Sequence, residues 1–119
     1  MSLCVLAGAE ALRIAAATFT LGWTHSVERI RWEEDWRVTP AGLQLVEARV
    51  QGSGAGMEPP PDARLSGGWW RYAPDRLPQA ELVLAASGAT ASGWTLCAAG
   101  ACRDLGAAPA VPIRLTACD

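Results

Sequence analysis

The sequence contains no lysine and no asparagine, and all ten of its basic residues are arginine. Set beside the abundant alanine and glycine, this reads as the codon usage of a GC-rich genome rather than selection of arginine for anion contacts. Charge of either sign is scarce. Only 18% of residues are charged, the signs interleave, and the net charge is −2. That balance excludes an electrostatic case for nucleic acid or for an anionic membrane surface. It also argues against disorder, because 50% of the residues are hydrophobic. Long hydrophobic runs are missing, and no segment approaches the ~20 apolar residues of a membrane span. At the amino terminus, Met1-Ser2-Leu3 precedes only a short apolar run from Cys4 to Ala7. It has neither the basic region nor the long apolar stretch of a signal peptide.

What is present fits a single domain over residues 1–119, with enough apolar material for one core. The four cysteines, Cys4, Cys97, Cys102 and Cys118, are even in number in a short chain and read as a disulfide framework. Zinc is the competing reading, but it needs two close ligand pairs, and Cys4 and Cys118 stand isolated at opposite ends. Residues 96–102 read as strand, tight Ala-Ala-Gly-Ala loop, strand. Cys97 and Cys102 would then face each other across a hairpin. The remaining pair, Cys4 with Cys118, would join the first strand to the last. Disulfides imply an oxidising compartment. The expectation is therefore a periplasmic or otherwise extracytoplasmic protein whose signal or anchor segment has been trimmed, with Met1-Ser2-Leu3 owed in part to a vector. Lipidation of Cys4 is the lesser alternative, because it would leave Cys118 unpaired.

Short apolar runs separated by Gly, Pro and Ser favour strands and turns. Residues 3–7 and 11–15 are candidates, the second able to form a helical turn because it is rich in alanine. The clearest alternation places Phe19, Leu21 and Trp23 on one face. In the next run Ile30, Trp32, Trp36 and Val38 share a face with Glu34, while Arg31, Glu33, Asp35 and Arg37 take the other, as on a solvated surface. The inward parity changes between the runs, so residues 18–38 form a hairpin with a turn or bulge near His25 to Arg29. Thr39-Pro40-Ala41-Gly42 is a turn, and a third strand runs from Leu43 to Val50. A glycine-rich loop and Pro59-Pro60-Pro61 follow. Residues 69–72, 81–87, 93–98, 101–105 and 111–117 complete the set. The predicted fold is all-β, an antiparallel β-sandwich or open barrel of about eight short strands with two disulfides.

Three features carry chemical interest. His25, the one histidine, continues the inward parity of Phe19, Leu21 and Trp23, and its ring nitrogens need partners such as Glu34 or Glu28. It reads as a structural hydrogen-bond network or as a ligand or acid–base site. Glu34 is a carboxylate between two inward tryptophans and requires a partner, which His25, an arginine such as Arg49, or a ligand cation would supply. The loop Gly52-Ser53-Gly54-Ala55-Gly56-Met57-Glu58 could turn backbone N–H groups toward an anion, but lacks the helix or lysine of a nucleotide motif. Ser26 beside His25 makes no catalytic pair, because adjacent strand residues point to opposite faces. One histidine and two carboxylates form too generic a set to predict a metal, and no cofactor is predicted. The six tryptophans are assigned mostly to the core. Trp69 and Trp70, being adjacent, must split between faces.

Phe19-x-Leu21-x-Trp23-Thr24-His25-Ser26-Val27-Glu28, then Trp32-x-Glu34, then Gly52-Ser53-Gly54-Ala55-Gly56-Met57-Glu58-Pro59-Pro60 together resemble the bacterial family catalogued as domain of unknown function 1850. The resemblance is strongest from Phe19 to Trp70 and includes Leu96-Cys97 with Cys102. It implies a small secreted or membrane-anchored protein, of a kind often encoded beside tripartite periplasmic transporters of the TAXI type. It carries no activity, but it draws attention to His25, Ser26, Glu28, Glu34, Gly54 and Gly56, which occupy the family's motif positions here.

The leading functional expectation is a non-enzymatic extracytoplasmic binding or accessory module serving a solute transporter. Its candidate patch is His25, Ser26, Glu28, Glu34, Gly54, Gly56 and Glu58, and its partner a small molecule or a membrane transporter component. The rivals are a small hydrolase or lyase with His25 as general base and a purely structural or assembly protein.

Overall fold

Alternating side chains and closely spaced turns produce strands along nearly all of the chain. The computed structural model describes residues 1–24, 30–52, 61–84, 93–106 and 112–118. Among them are eleven strands: β1 (Ser2–Ala7), β2 (Glu10–Ile14), β3 (Thr18–Thr24), β4 (Arg31–Thr39), β5 (Gly42–Gln51), β6 (Arg64–Ser66), β7 (Trp69–Tyr72), β8 (Glu81–Leu84), β9 (Trp94–Ala98), β10 (Ala101–Leu105) and β11 (Ile113–Cys118). They form two open antiparallel sheets, a small one in the order β2-β1-β11-β8 and a large one in the order β10-β9-β3-β4-β5-β7-β6. The fold is thus a sandwich rather than a closed barrel. The alanine-rich strand candidate that could also have formed a helical turn is β2, held by full pairing with β1 from Leu3↔Ile14 to Ala7↔Glu10. Strand β6, which periodicity did not reveal, joins β7 across Gly67-Gly68, whose φ angles of 61° and 85° match the mirror-image turn favoured in two-residue hairpins.

The sheets close on each other at one end through a backbone device. Leu43 and Gln79 exchange hydrogen bonds of 2.8 and 2.9 Å, tying the segment between β7 and β8 to the start of β5. Gly42, at φ 126°, makes this approach possible, because a Cβ there would run into the Gln79 carbonyl oxygen. In β5 the inward parity then switches from Leu43 and Leu45 to Ala48 and Val50. The cause is a bulge, since Asp35 pairs with Glu47 but Trp36 with Leu45, leaving Val46 as the extra and exposed residue.

The core lies where the two sheets overlap. Leu3, Val5, Ile14, Leu84, Ile113 and Leu115 from the small sheet meet Phe19, Leu21, Trp36, Val38, Leu43, Leu45 and Leu96 from the large one. Of the six tryptophans only Trp36 is fully buried; the other five are half-exposed. The assignment of the tryptophans to the core is corrected accordingly. Alternation places a side chain on the core side of a sheet, but burial needs an opposing layer, and the four-stranded sheet covers only part of the seven-stranded one.

Both expected disulfides are formed. Cys97 and Cys102 face each other in the β9–β10 hairpin, and Cys4 bonds to Cys118, linking the paired strands β1 and β11.

Candidate functional site

Strand register assembles a single transverse row of side chains on the core-side face of the large sheet. Following the pairings, Leu105 lies opposite Trp94, Trp94 opposite Trp23, Trp23 opposite Trp32, Trp32 opposite Val50, Val50 opposite Trp70 and Trp70 opposite Leu65. The row crosses all seven strands and carries four of the six tryptophans. Directly opposite residues in antiparallel strands stand close enough for their rings to touch. Accordingly Trp23 and Trp32 stack, with centroids 6.0 Å apart and planes inclined by 6°. Trp94 tilts against Trp23 at 5.1 Å and 52°. Val50 is the row's one fully buried member, while the four indoles remain half-exposed and Leu65 is 58% exposed. The indole Nε1 of Trp32 is buried and has no hydrogen-bond partner among the described residues, an uncommon expense for a polar group.

Glu34 occupies the next row towards the core, between Leu21 and Ala48. Beyond Ala48 in the same row comes Tyr72. Glu34 Oε1 accepts a hydrogen bond of 3.3 Å from Trp36 Nε1. Burial pushes its carboxyl above the ordinary range, against the lowering effects of that bond and of the nearby Arg76 charge. Burial also raises the Tyr72 hydroxyl, and the charge of Glu34 adds to the shift. Arg49, one of the alternative partners considered for Glu34, does not serve it. Register places Arg49 opposite Glu33, on the other face.

That other face is not the simple solvated surface expected of Arg31, Glu33, Asp35 and Arg37. The Arg49 side chain is 13% exposed and acts as a hub. It donates to Glu33 Oε1 at 2.9 Å, to Asp35 Oδ2 at 2.8 Å and Oδ1 at 3.2 Å, and to Glu47 Oε1 at 3.4 Å. Arg71 donates to Glu47 at 2.8 Å, and Thr20 Oγ1 to Asp35 at 2.7 Å. This ladder ties β3, β4, β5 and β7 together across their outer face. Burial raises the Asp35 carboxyl, but the hydrogen bonds from Arg49 and Thr20 and the charges of Arg49 and Arg71 outweigh it and hold the group low. The bond to Asp35 in turn raises Arg49. Bulge and register decide which carboxylates meet which arginine, and Glu33 and Asp35 are distant from Arg49 in sequence.

Of the candidate patch, Glu34 is described and lies beside the tryptophan row. His25, Ser26, Glu28, Gly54, Gly56 and Glu58 lie outside the described residues, as does the expected turn or bulge from His25 to Arg29. The residues that flank these segments, Thr24 and Arg31 on one side and Gln51 and Gly52 on the other, stand at the tryptophan-row end of their strands. Trp94 begins β9 and Leu105 ends β10 at the same end. Among the described residues no group of three or more His, Cys, Asp and Glu is arranged to hold a metal, and no helix is long and apolar enough to cross a membrane.

The family profile of Domain of unknown function (DUF1850) matches residues 19–105. The chain belongs to this family. The match runs from β3 to β10, so the DUF1850 portion includes every strand of the large sheet together with β8. It therefore contains the whole tryptophan row, Glu34, the Arg49 ladder and the Cys97–Cys102 hairpin. Strands β1, β2 and β11 and the Cys4–Cys118 disulfide lie outside the match. No curated protein and no solved structure matches the chain.

Proposed function

We propose that this DUF1850 protein is an extracytoplasmic binding or accessory module serving a solute transporter, and that it takes its ligand on the half-exposed tryptophan row beside Glu34. The observation that carries the reading is the row itself: four indoles aligned by register across the large sheet, half-exposed where the small sheet ends. Contiguous apolar surface of this kind is retained where it meets something. Indole faces favour apolar groups and cations alike. Glu34, partly desolvated and accepting a weak indole bond from Trp36, complements a cationic or hydrogen-bond-donating group. The ligand class is thus a small organic molecule with an apolar body and a protonated amine or comparable donor. Two disulfides support the oxidising compartment. The reading extends to His25, Ser26 and Glu28, which follow Thr24 directly, and to Gly54, Gly56 and Glu58, which follow Gly52 closely.

The test is thermal unfolding of the oxidised protein with a panel of amines, amino acids, organic acids and divalent metals, read together with indole fluorescence. A ligand of the native state at about a hundred times its dissociation constant adds about 2.7 kcal/mol of stability. The expected result is a rise in midpoint with the amine-bearing compounds, accompanied by a change in fluorescence and abolished in Trp23→Ala and Glu34→Gln. A panel without any shift, or a shift that survives both substitutions, rules the site out.

A further inference from the structure

The two disulfides differ in what they hold. Cys4–Cys118 joins two interior strands of the small sheet across a sequence separation of 114 residues. Cys97–Cys102 spans only 5 residues and fastens the edge strand β10 to β9. Among the described residues strand β10 pairs with β9 alone, and Ala101, Cys102, Arg103 and Asp104 are all exposed. Its apolar contact with the rest of the fold is Leu105, partly buried and packed against the core. Its turn is also unfavourable. Ala99 sits at φ 53°, and it is the one non-glycine residue of positive φ among those described. Among the described residues, the disulfide, the backbone ladder and Leu105 are what keep β10 in place.

The same disulfide is open to attack. Its sulfurs lie on the outer face of the sheet and line a depression of about 530 Å³ together with Thr18, Thr20, Asp35 and Val46. Cys97 is half-buried but Cys102 is exposed, whereas Cys4 and Cys118 are both half-buried. Exposed disulfides are the labile ones, since exchange requires a thiolate to approach a sulfur in line. Closing so short a loop also contributes less to global stability than the long loop of Cys4–Cys118, so its opening costs the fold less.

We propose that Cys97–Cys102 is a thiol–disulfide exchange site for a dithiol reductant, opening before Cys4–Cys118 and releasing β10 while the sandwich stays folded. A thiolate of the reductant attacks Cys102 Sγ, the S–S bond breaks, and Cys97 leaves as a thiolate that takes a proton. The second thiol of the reductant then displaces Cys102 from the mixed disulfide. Two electrons pass from the dithiol, which becomes a disulfide, to the protein, which gains two thiols. Strand β9 becomes the new edge of the large sheet, with backbone groups free to pair.

The experiment is native reduction in graded dithiothreitol, quenched with an alkylating agent and read by peptide mass, with hydrogen exchange measured on the partly reduced protein. The expected result is half-labelling of Cys97 and Cys102 at a dithiothreitol concentration at least tenfold below that for Cys4 and Cys118. Amides of residues 101–105 should lose protection while β3, β4 and β5 keep theirs. Labelling of both pairs together or in the reverse order overturns the proposal, as does continued protection of β10 after reduction. The double variant Cys97→Ser, Cys102→Ser should fold and exchange like the reduced protein. Failure to fold, or exchange like the oxidised protein, counts against the proposal equally.

Discussion

At the scale of single residues, Glu34 and Asp35 are neighbours whose carboxyls move in opposite directions. Burial raises Glu34 from its ordinary 4.5, so the folded state holds that proton more tightly than the unfolded chain does. Its contribution to stability therefore falls as pH climbs from 4.5 through the raised value. Asp35 is lowered from 3.8, so its contribution is present above 3.8 and is lost as pH falls through the lowered value. Glu34→Gln is accordingly expected to raise stability at pH 7, with the gain vanishing near pH 4; denaturant unfolding at a series of pH values measures it. Such a stabilised variant that also loses the ligand response would mark Glu34 as a residue kept for binding. Gly42 offers a sharper structural case. Gly42→Ala combines a backbone angle of 126° with a clash against the Gln79 carbonyl, and should cost on the order of 2–3 kcal/mol. An unchanged unfolding midpoint would show that the Leu43–Gln79 clasp is dispensable. Parity alone revealed Glu34 as an anomalous inward carboxylate. The special character of Gly42 was not legible, because Gln79 is distant in sequence and meets it only through the fold.

At the scale of elements, the outer-face ladder makes Arg49 the residue whose loss β4 and β5 would feel most. Arg49→Met leaves Glu33, Asp35 and Glu47 near one another without their shared cation. The expected penalty at pH 7 is on the order of 2 kcal/mol, less than for a fully buried pair because the carboxylates are partly solvated. Lowering the pH should shrink the penalty, because protonated carboxyls no longer repel; a penalty independent of pH would assign the loss to packing of the arginine stem instead. In the β9–β10 hairpin, Ala99→Asn places a residue tolerant of positive φ in the turn and should stabilise the hairpin by up to about 1 kcal/mol, seen as slower exchange of the β10 amides. The hairpin itself was readable from its tight loop and paired cysteines. Strand β6 was not, since its three residues are all exposed and carry no alternation, although the Gly67-Gly68 turn was the available signal. The bulge at Val46 was equally hidden, because a single strand's sequence does not say where its partner skips a residue.

At the scale of the molecule, Cys4–Cys118 closes nearly the whole chain into one loop. Replacing both cysteines by alanine should cost about 4–5 kcal/mol in the chain-entropy treatment. A loss in unfolding free energy well below this would mean that the unfolded chain already keeps its ends together. Residue order alone determined the all-β class, the inward faces of β3 and β4, and the cysteine pairing. These follow from period-two alternation and short-range turn chemistry, which are properties of neighbouring residues. Only the tertiary structure decided how far the small sheet reaches across the large one. That extent depends on the packing of strands distant in sequence, and it separates a buried Trp36 from the half-exposed Trp23, Trp32, Trp70 and Trp94. It is also what left a set of core-patterned tryptophans partly exposed at the margin of the core.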